Sequence, residues 1–453
     1  MIWLPVLVAG GVLYAGSKAL PSFDQSVKTW FGRKRAKARA ADGVQAEREL
    51  VVSAVSLGVA AAGGLLKLPI LGWLSVPVTV YLLAPVLREA GQVVLQERRV
   101  NDQVLTGARL AVCMTMSYTF IAALDASLHA LTHRLRVRNA ERWQQALQQR
   151  LGSQAQPWLQ HWEALAEQPT HWQRVGERSG ALAAPLMLVT CVLATPALGI
   201  NRSSAFLTTF FGAHVRKLGP YTTREMLHQA LASGLLLTNP QVLERAVNMD
   251  TVVFDGRLLH DTWVGGQFAA SVQALQQQTR RVYVFTETDD ALCALASVDG
   301  CFNAVNPDER GALIQQWQAA GKQVCYVGSG VGDSAERHAA NFSVVVQAAL
   351  AATLPTEDLP DAFLLGTDLQ AVPHLFALSA AFGKRQRFNL IAPMGVDVVD
   401  ISTTLLLDFG LVYSVMFTYI GLLLGMAKSQ PAISPSASIA EFGGQHRGRL
   451  IPQ

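Results

Sequence analysis

The chain has few charged residues for its length. Asp, Glu, Lys and Arg make up 15% of its 453 residues, whereas hydrophobic residues make up 50%. This balance excludes a disordered chain and a collagen-like chain, and it argues against an ordinary cytosolic enzyme. The net charge is only +4, and the basic residues cluster beside apolar segments. Such clustering indicates membrane topology rather than binding to nucleic acid.

Sequence signals for metal binding are also scarce. The five cysteines are scattered without a C-x-x-C pair, and the chain has no histidine-rich tract. These absences argue against a cysteine-built zinc site and against a disulfide scaffold.

Apolar stretches near the length that crosses a bilayer, about 20 helical residues, are abundant. The predicted membrane segments are residues 2–20, 50–66, 69–87, 107–131, 181–211, 389–407 and 409–427. We interpret residues 2–20 as a retained anchor, and the positive-inside rule places the basic run RKRAKAR (33–39) in the cytoplasm. We therefore expect a multi-pass protein of the cell (inner or plasma) membrane, in contact with the lipid bilayer, with residues 215–385 in the cytoplasm.

Residues 132–179 present a topological conflict. They are rich in Gln, Arg and Trp, which predicts an amphipathic helical segment outside the membrane. If 107–131 and 181–211 each cross once, this segment lies outside the cytoplasm. Its arginines, such as Arg134 and Arg138, favour the cytoplasmic side. Both alternatives stay open at this point.

Residues 250–350 alternate between strand and helix patterns. Strands are predicted at 250–255, 281–288, 323–328 and 343–347, and helices at 267–279 and 308–320. This alternation predicts a parallel sheet, whose ligands bind beyond the carboxyl ends of the strands. Asp255, Thr286 and Asp333 fall at such ends, so we expect them to share one site.

The order of these motifs resembles the heavy-metal branch of the P-type ATPases. The similar segments are MDTVVFD (249–255) to the strand before the phosphorylated aspartate, VFTET (284–288) to T-G-D, NPDER (306–310) to P-x-D-K, GSGVGD (328–333) to G-D-G-x-N-D, and CVLATPALG (191–199) to the C-P-C membrane helix. The resemblance implies a mixed fold: an α-helical transmembrane bundle plus a cytoplasmic α/β haloacid dehalogenase-like domain with a Rossmann-like parallel sheet. It assigns Asp255 to the phosphorylation position and Thr286, Arg310 and Asp333 to the other catalytic positions.

Several residues that this chemistry needs are replaced. Arg257 stands where a small residue offers its carbonyl to Mg²⁺, and Ser329 stands for the metal-binding aspartate. Glu287 and Thr288 replace the glycine and aspartate of T-G-D. Phosphoryl transfer depends on positioning and on Mg²⁺ that neutralises charge. The resemblance therefore implies a vestigial site without a cofactor, where Mg²⁺ is possible only if phosphotransfer persists.

Two domains of the family are also missing. Too few residues separate Asp261 from the next predicted helix to hold a nucleotide-binding domain, so we expect no specific ATP binding. Residues 132–179 contain neither the T-G-E motif nor the strand-rich pattern of an actuator domain.

The ion path differs from the family pattern as well. Thr195, Pro196 and Ala197 match C-P-C, so the proline that breaks the helix persists while both thiolate ligands are lost. Asp397, Asp400 and Asp408 share one face of a predicted helix, where intramembrane carboxylates indicate an ion path or a polar helix contact. The candidates for metal ligands are Asp397, Asp400, Asp408 and Cys191.

Three hypotheses for function follow. The favoured one is a catalytically inactive pseudo-ATPase with a regulatory, scaffolding or assembly role through membrane or cytoplasmic protein partners. The others are a residual or subunit-assisted heavy-metal cation transporter, and a membrane-tethered Mg²⁺-dependent phosphohydrolase that uses Asp255. The predicted organisation is an N-terminal anchor and basic linker (1–48), transmembrane helices (49–131), a non-membrane helical segment (132–179), the C-P-C-type helix (180–213), the degenerate phosphorylation domain (214–385), a transmembrane pair (386–428) and a disordered tail (429–453).

Overall fold

The computed structural model describes residues 35–152, 155–166, 169–212, 214–259, 264–286, 297–303, 306–347 and 359–429. The anchor predicted at 2–20 and the tail predicted beyond residue 429 lie outside the described residues.

The described chain forms a bundle of helices joined to a sheet domain. The helices are α1 (Arg35–Leu65), α2 (Pro69–Leu74), α3 (Val76–Gln92), α4 (Asp102–Thr115), α5 (Thr119–Leu151), α6 (Ala155–Ala166), α7 (His171–Ser203), α8 (Val215–Ala232), α9 (Val242–Ala246), α10 (Val264–Gln277), α11 (Pro307–Ala319), α12 (Ser334–Ala339), α13 (Ala371–Leu406) and α14 (Leu411–Ser429). The strands are β1 (Leu235–Leu237), β2 (Thr251–Asp255), β3 (Arg281–Thr286), β4 (Gly300–Asn303), β5 (Val324–Gly328), β6 (Phe342–Gln347) and β7 (Ala362–Leu365).

Five of the described helical stretches are long and apolar enough to span a membrane. They are Gly43–Leu65, Ile70–Gln96, His171–Thr208, Ala371–Leu406 and Leu411–Ser429. At 1.5 Å per residue, each reaches roughly the thickness of a hydrocarbon core. The chain is a multi-pass membrane protein, as the sequence predicts.

The segment at 107–131 is not the single crossing that the sequence suggests. The helix ends at Thr115, Ser117 has a left-handed φ of 57°, and α5 then runs back along α4. Arg109 and Asp125 hydrogen-bond at 2.7–2.8 Å, although a continuous helix would hold them about 24 Å apart. The segment is therefore a hairpin of two helices.

The segment at 181–211 is a second hairpin. Gly199 interrupts α7 with a φ of 75°, and the Thr195 and Ser203 hydroxyls hydrogen-bond across the turn at 2.8 Å. A 3-10 helix, Ser204–Thr208, then packs back against α7, with Phe206 in the same buried cluster as Cys191.

The two hairpins remove the conflict over residues 132–179. Each returns the chain to the end of the bundle where it started, so this segment lies on the same side as the sheet domain. Trp143 and Trp162 belong to the core of that domain, and the Trp162 indole N–H donates to the Leu237 carbonyl at 2.9 Å. The opposite end of the bundle, which we call the far end, holds the turns at 199–203 and 407–410, joined by an Arg202–Asp408 ion pair of 2.9 Å.

The described part of the sheet domain contains a seven-stranded sheet in the order β1-β7-β6-β5-β2-β3-β4. All neighbours are parallel except the edge strand β1, which pairs antiparallel with β7. The central strands are buried on both faces, which explains their continuous apolar runs such as TVVF before Asp255. This arrangement confirms the predicted helical membrane bundle plus α/β domain.

Candidate functional site

The carboxyl ends of three neighbouring strands meet at one edge of the sheet, as predicted. Asp255 ends β2, Thr286 ends β3 in the adjacent register, and the turn after β5 leads to Asp333. These three side chains are each 0–1% exposed. Arg310 from α11 is also buried and lies 3.9 Å from the Asp255 carboxylate. The four residues that the resemblance assigns to catalysis therefore surround one buried site.

The Asp255 carboxylate is fully engaged by the protein itself. Arg257 donates its backbone N–H to Oδ1 at 3.0 Å, its Nε to Oδ2 at 2.8 Å and its Nη2 to Oδ2 at 2.5 Å. The Tyr326 hydroxyl donates to the same Oδ2 at 3.0 Å. Both oxygens that would attack a phosphate are thus held in charge-assisted hydrogen bonds.

Arg257 also closes the glycine-rich turn over the site. Its Nη1 donates to the Val331 carbonyl at 3.2 Å, and the hydrogen bonds to Asp255 raise the pKa of the guanidinium. The turn can approach because Gly330 and Gly332 take left-handed φ values of 77° and 68°, which suit glycine. One side chain therefore bridges the end of β2 to the turn after β5.

Gly256 shows why the chain after Asp255 follows this path. A Cβ atom there would lie 2.6 Å from the Phe285 carbonyl oxygen, closer than real Cβ contacts allow. The lysine that follows the aspartate in the family signature could not occupy this backbone position without a shift of β3.

A buried ion-pair network continues behind Asp255. Arg310 lies 3.9 Å from Glu336 as well as from Asp255, and Glu336 is 0% exposed. Neither Glu336 carboxylate oxygen has a hydrogen-bond partner among the described residues, and burial raises the pKa of this group. Arg310 keeps the charge of the family's lysine, but it is shared between two carboxylates of the protein.

The Asp333 carboxylate is likewise held by hydrogen bonds from the protein itself. It accepts from the Gly330 N–H at 2.9 Å and from Arg337 Nε at 3.1 Å. Arg337 stands one helical turn later on α12, so this pair is a local i,i+4 contact.

These residues do not fit the Mg²⁺ ion that the fold family uses. Mg²⁺ requires an octahedral set of oxygen ligands. Here Arg257 and Arg337 place guanidinium groups against the two carboxylates that would bind the ion, and Ser329 replaces the third. Guanidinium groups of the chain itself neutralise these two carboxylates.

Asp397 and Asp400 lie beside a break in the second arm of the α7 hairpin. The described residues between Thr208 and Val215 are not helical, and their backbone needs partners inside the bundle. Asp397 accepts the N–H groups of Phe210 and Phe211 at 3.2 and 2.8 Å, and Asp400 accepts the Thr208 hydroxyl at 2.9 Å. Both predicted candidates therefore lie beside a broken membrane helix.

The break beside these carboxylates is not the one predicted at Pro196, and two candidate ligands lie elsewhere. Pro196 lies inside α7, just ahead of the turn at Gly199, whereas the non-helical segment follows Thr208. Asp408 lies beyond the end of α13, largely exposed and paired with Arg202. Cys191 packs in a buried cluster of apolar residues. Among the described residues, no group of three or more His, Cys, Asp or Glu side chains converges.

The partners of the charged residues were not predicted from the sequence. Tyr326 could have been found from strand alternation, because it pairs with Val253, whose side chain shares a face with Asp255. The buried Arg109–Asp125 pair, which also accepts the Tyr419 hydroxyl at 2.8 Å, had a weaker signal: two opposite charges in one apolar segment.

Comparisons with known proteins support this architecture. No protein-family model and no curated protein matches the chain. Two crystal structures of a zinc-transporting PIB-type ATPase, in different states, resemble it. One gives a TM-score of 0.54 at 12% identity and covers 85% of this chain and 99% of that chain. The other gives 0.51 at 12% identity over 84% and 98%. At this identity the likeness establishes the fold, so the chain has the fold of a heavy-metal-transporting P-type ATPase, as its motifs predict.

Proposed function

We propose that this chain is a catalytically inactive P-type ATPase-like membrane protein that acts through binding, in a regulatory, scaffolding or assembly role. The observation that supports this proposal is that side chains of the same protein already hydrogen-bond the Asp255 carboxylate. Arg257 and Tyr326 of the same chain donate to the oxygens that a phosphorylated aspartate must present to its substrate.

The lack of room for a phosphate donor supports the same function. Helix α10 begins at Val264, only nine positions after Asp255, so the chain there has no room for a nucleotide-binding domain. In addition, Arg257 spans from Asp255 to the glycine-rich turn, across the direction from which phosphate would arrive. A phosphohydrolase would meet the same barrier.

The membrane bundle also favours a structural role for its charges. The Asp397 carboxylate satisfies two backbone N–H groups of the broken helix, and Thr418 from α14 donates to the Thr208 carbonyl at 3.1 Å. Asp125 is neutralised by Arg109. These contacts stabilise helix packing where a transporter would keep groups available for its ion.

The proposal is tested by phosphorylation of the purified full-length protein. The protein in detergent is incubated with Mg²⁺ and radiolabelled ATP or acetyl phosphate, then quenched in acid. We expect no stoichiometric label. Label that disappears in Asp255→Asn and persists in Ser329→Ala would contradict the proposal, because it would show that Asp255 still reacts.

A second candidate function, cation transport with energy supplied elsewhere, is favoured by the two buried carboxylates beside the helix break. It predicts that Zn²⁺ or Co²⁺ binds the wild-type protein stoichiometrically and that Asp400→Asn loses this binding. The inactive-scaffold proposal predicts no bound metal in either protein after dialysis, as measured by elemental analysis.

A further inference from the structure

The turn of the α7 hairpin contacts the end of α13. Arg202 donates from Nε and Nη2 to the Thr404 carbonyl at 3.1 and 2.7 Å, and from Nη2 to the Leu405 carbonyl at 3.0 Å. The same guanidinium pairs with Asp408 at 2.9 Å. The carbonyls of the last turn of a helix have no partners within the helix, and they carry partial negative charge. One arginine of α7 therefore satisfies the end of α13, which stops at Leu406.

Asn201, the preceding residue, holds the start of α14 in a similar way. Its side-chain oxygen accepts the Leu411 N–H at 3.3 Å. Gly410 has no side chain that would collide with the Asn201 amide, so the turn between α13 and α14 packs closely against it. Two consecutive residues of one turn thus hold the ends of two helices. We call this set of contacts the far-end latch; its members are Asn201, Arg202, Thr404, Leu405, Asp408 and Leu411.

Two buried polar groups of α13 lie next to the far-end latch. Asp400 precedes Thr404 by one helical turn, about 6 Å along the axis. Asp400 is 2% exposed and Thr404 is 0% exposed. The Asp400 Oδ1 and the Thr404 Oγ1 have no hydrogen-bond partner among the described residues. Water would satisfy such oxygens if it could reach them, but the latch contacts at Leu405 and Asp408 lie between them and the far end.

The exposure of the far-end latch suits a contact that can open. The Arg202 side chain is 24% exposed and that of Asp408 is 78% exposed. Water and salt screen such an ion pair, so its separation costs little. Gly199 has a left-handed φ of 75°, and a Cβ atom added there would meet nothing within 4 Å. The turn that carries Arg202 therefore has a hinge position with free space around it.

We propose that the far-end latch closes the membrane bundle to water at the far end, and that its release exposes the buried oxygens of Asp400 and Thr404. The latch acts within the membrane, so it does not depend on the chemistry of Asp255. A closed latch suits a protein that acts through binding, whereas cation transport would require the latch to open.

The test measures the reaction of a cysteine placed beside the latch. Thr404→Cys in the full-length protein, in membrane vesicles, is treated with a positively charged, membrane-impermeant methanethiosulfonate. The reagent is applied from the side at which Lys67→Cys, in the far-end turn after α1, reacts, and peptide mass spectrometry locates the label. We expect Arg202→Gln to raise the reaction rate at residue 404 about ten-fold or more, because this rate follows the population of the open state. Arg178→Gln, which changes an exposed arginine near the other end of α7, is the matched control and should leave the rate unchanged.

Two outcomes would overturn the proposal. One is an equal reaction rate at residue 404 with and without Arg202→Gln. The other is an equal acceleration in Arg178→Gln, which would indicate a general effect of charge rather than release of the latch. Cys113, which is 2% exposed inside the bundle, reports on folding and should stay unlabelled in every variant. If Arg202→Gln labels Cys113 as well, Asp408→Asn, which removes only the exposed ion pair, decides the matter: a rate above that of the Thr404→Cys parent supports the proposal, and an equal rate contradicts it.

Discussion

At the scale of single residues, Arg257 and Asp255 determine the character of the sheet-domain site. Asp255 is fully buried, whereas the Arg257 side chain is 30% exposed. Removal of one partner of a fully buried pair costs about 3–5 kcal/mol, because the other charge stays behind uncompensated. The partial exposure of Arg257 reduces the expected cost, since water screens the pair.

We predict that Arg257→Gln lowers the free energy of unfolding of the sheet domain by about 1–3 kcal/mol. Asp255→Asn should have a smaller effect in the Arg257→Gln background than in the wild type, because the pair has already been broken. Denaturant titration of the four proteins of this double-mutant cycle measures the coupling. Additive effects of the two changes would show that the pair contributes nothing to stability.

Glu336 provides a pH-dependent test at the same scale. Burial raises the pKa of this carboxyl above its ordinary value of 4.5, so the folded state binds its proton more tightly than the unfolded state. Its contribution to stability is therefore fully present below pH 4.5 and is lost as the pH rises through the raised pKa. We predict that Glu336→Gln is more stable than the wild type at pH 7.5, by a margin that shrinks toward pH 4.5.

Thermal unfolding across this pH range checks the prediction. Glu177→Gln changes an exposed carboxyl on α7 and should leave the wild-type pH profile unchanged. A Glu336→Gln variant that is less stable than the wild type at pH 7.5 would mean that the attraction of Arg310 outweighs the penalty of burial.

At the scale of elements, α6 docks on the sheet. Trp158 is 2% exposed and packs edge-to-face on Phe363 of β7, with ring centroids 5.8 Å apart. The antiparallel edge strand β1 is contacted by Trp162, whose indole N–H donates to the Leu237 carbonyl. Covering an edge strand removes a site for unwanted pairing and ties the sheet to the membrane helices.

We predict that Trp158→Ala destabilises this docking by about 3–5 kcal/mol, the usual range for removal of a buried tryptophan. Hydrogen exchange should show faster exchange of the amides of β1 and β7, while β2 and β5 change less. Trp73→Ala removes a tryptophan that is 49% exposed on α2 and should leave exchange in the sheet unchanged. Unchanged protection of β1 and β7 in Trp158→Ala would show that α6 does not stabilise the edge.

At the scale of the whole molecule, the two hairpins determine on which side of the membrane each loop and domain lies. Gln148 near the end of α5 and Gln316 on α11 belong to the side of the sheet domain, whereas Lys67 lies at the turn after α1, at the far end. We predict that Gln148→Cys and Gln316→Cys react with a membrane-impermeant maleimide from the same side, and Lys67→Cys from the opposite side.

Labelling of intact cells and of inverted vesicles measures this, with the chain that has no added cysteine as background. By the positive-inside rule the first two positions should react only in inverted vesicles. Reaction of Gln148→Cys from the side opposite to Gln316→Cys would restore single crossings at 107–131 and 181–211.

The sequence alone predicted much of this protein. The apolar runs predicted the membrane bundle, because a spanning helix must be about 20 residues long and largely uncharged. The alternating patterns from Asp250 to Gln347 located four of the strands, because strands buried on both faces form continuous apolar runs. The order of the motifs around Asp255, Arg310 and Asp333 predicted both the fold and the shared site, because parallel strands bring their carboxyl ends to one edge.

Only the tertiary structure decided how the charges are paired and where the chain turns. Hydropathy averages over a window, so it does not distinguish one crossing from two short helices joined at Ser117. Strands such as β1 and β4 are three or four residues long, and their pairing depends on neighbours that are distant in sequence. The replacement of a small residue by Arg257 indicates a lost function, but the closure of Arg257 over Asp255 depends on the turn at Gly330 and Gly332. Long-range packing brings these groups together, and neither local propensity nor spacing encodes that geometry.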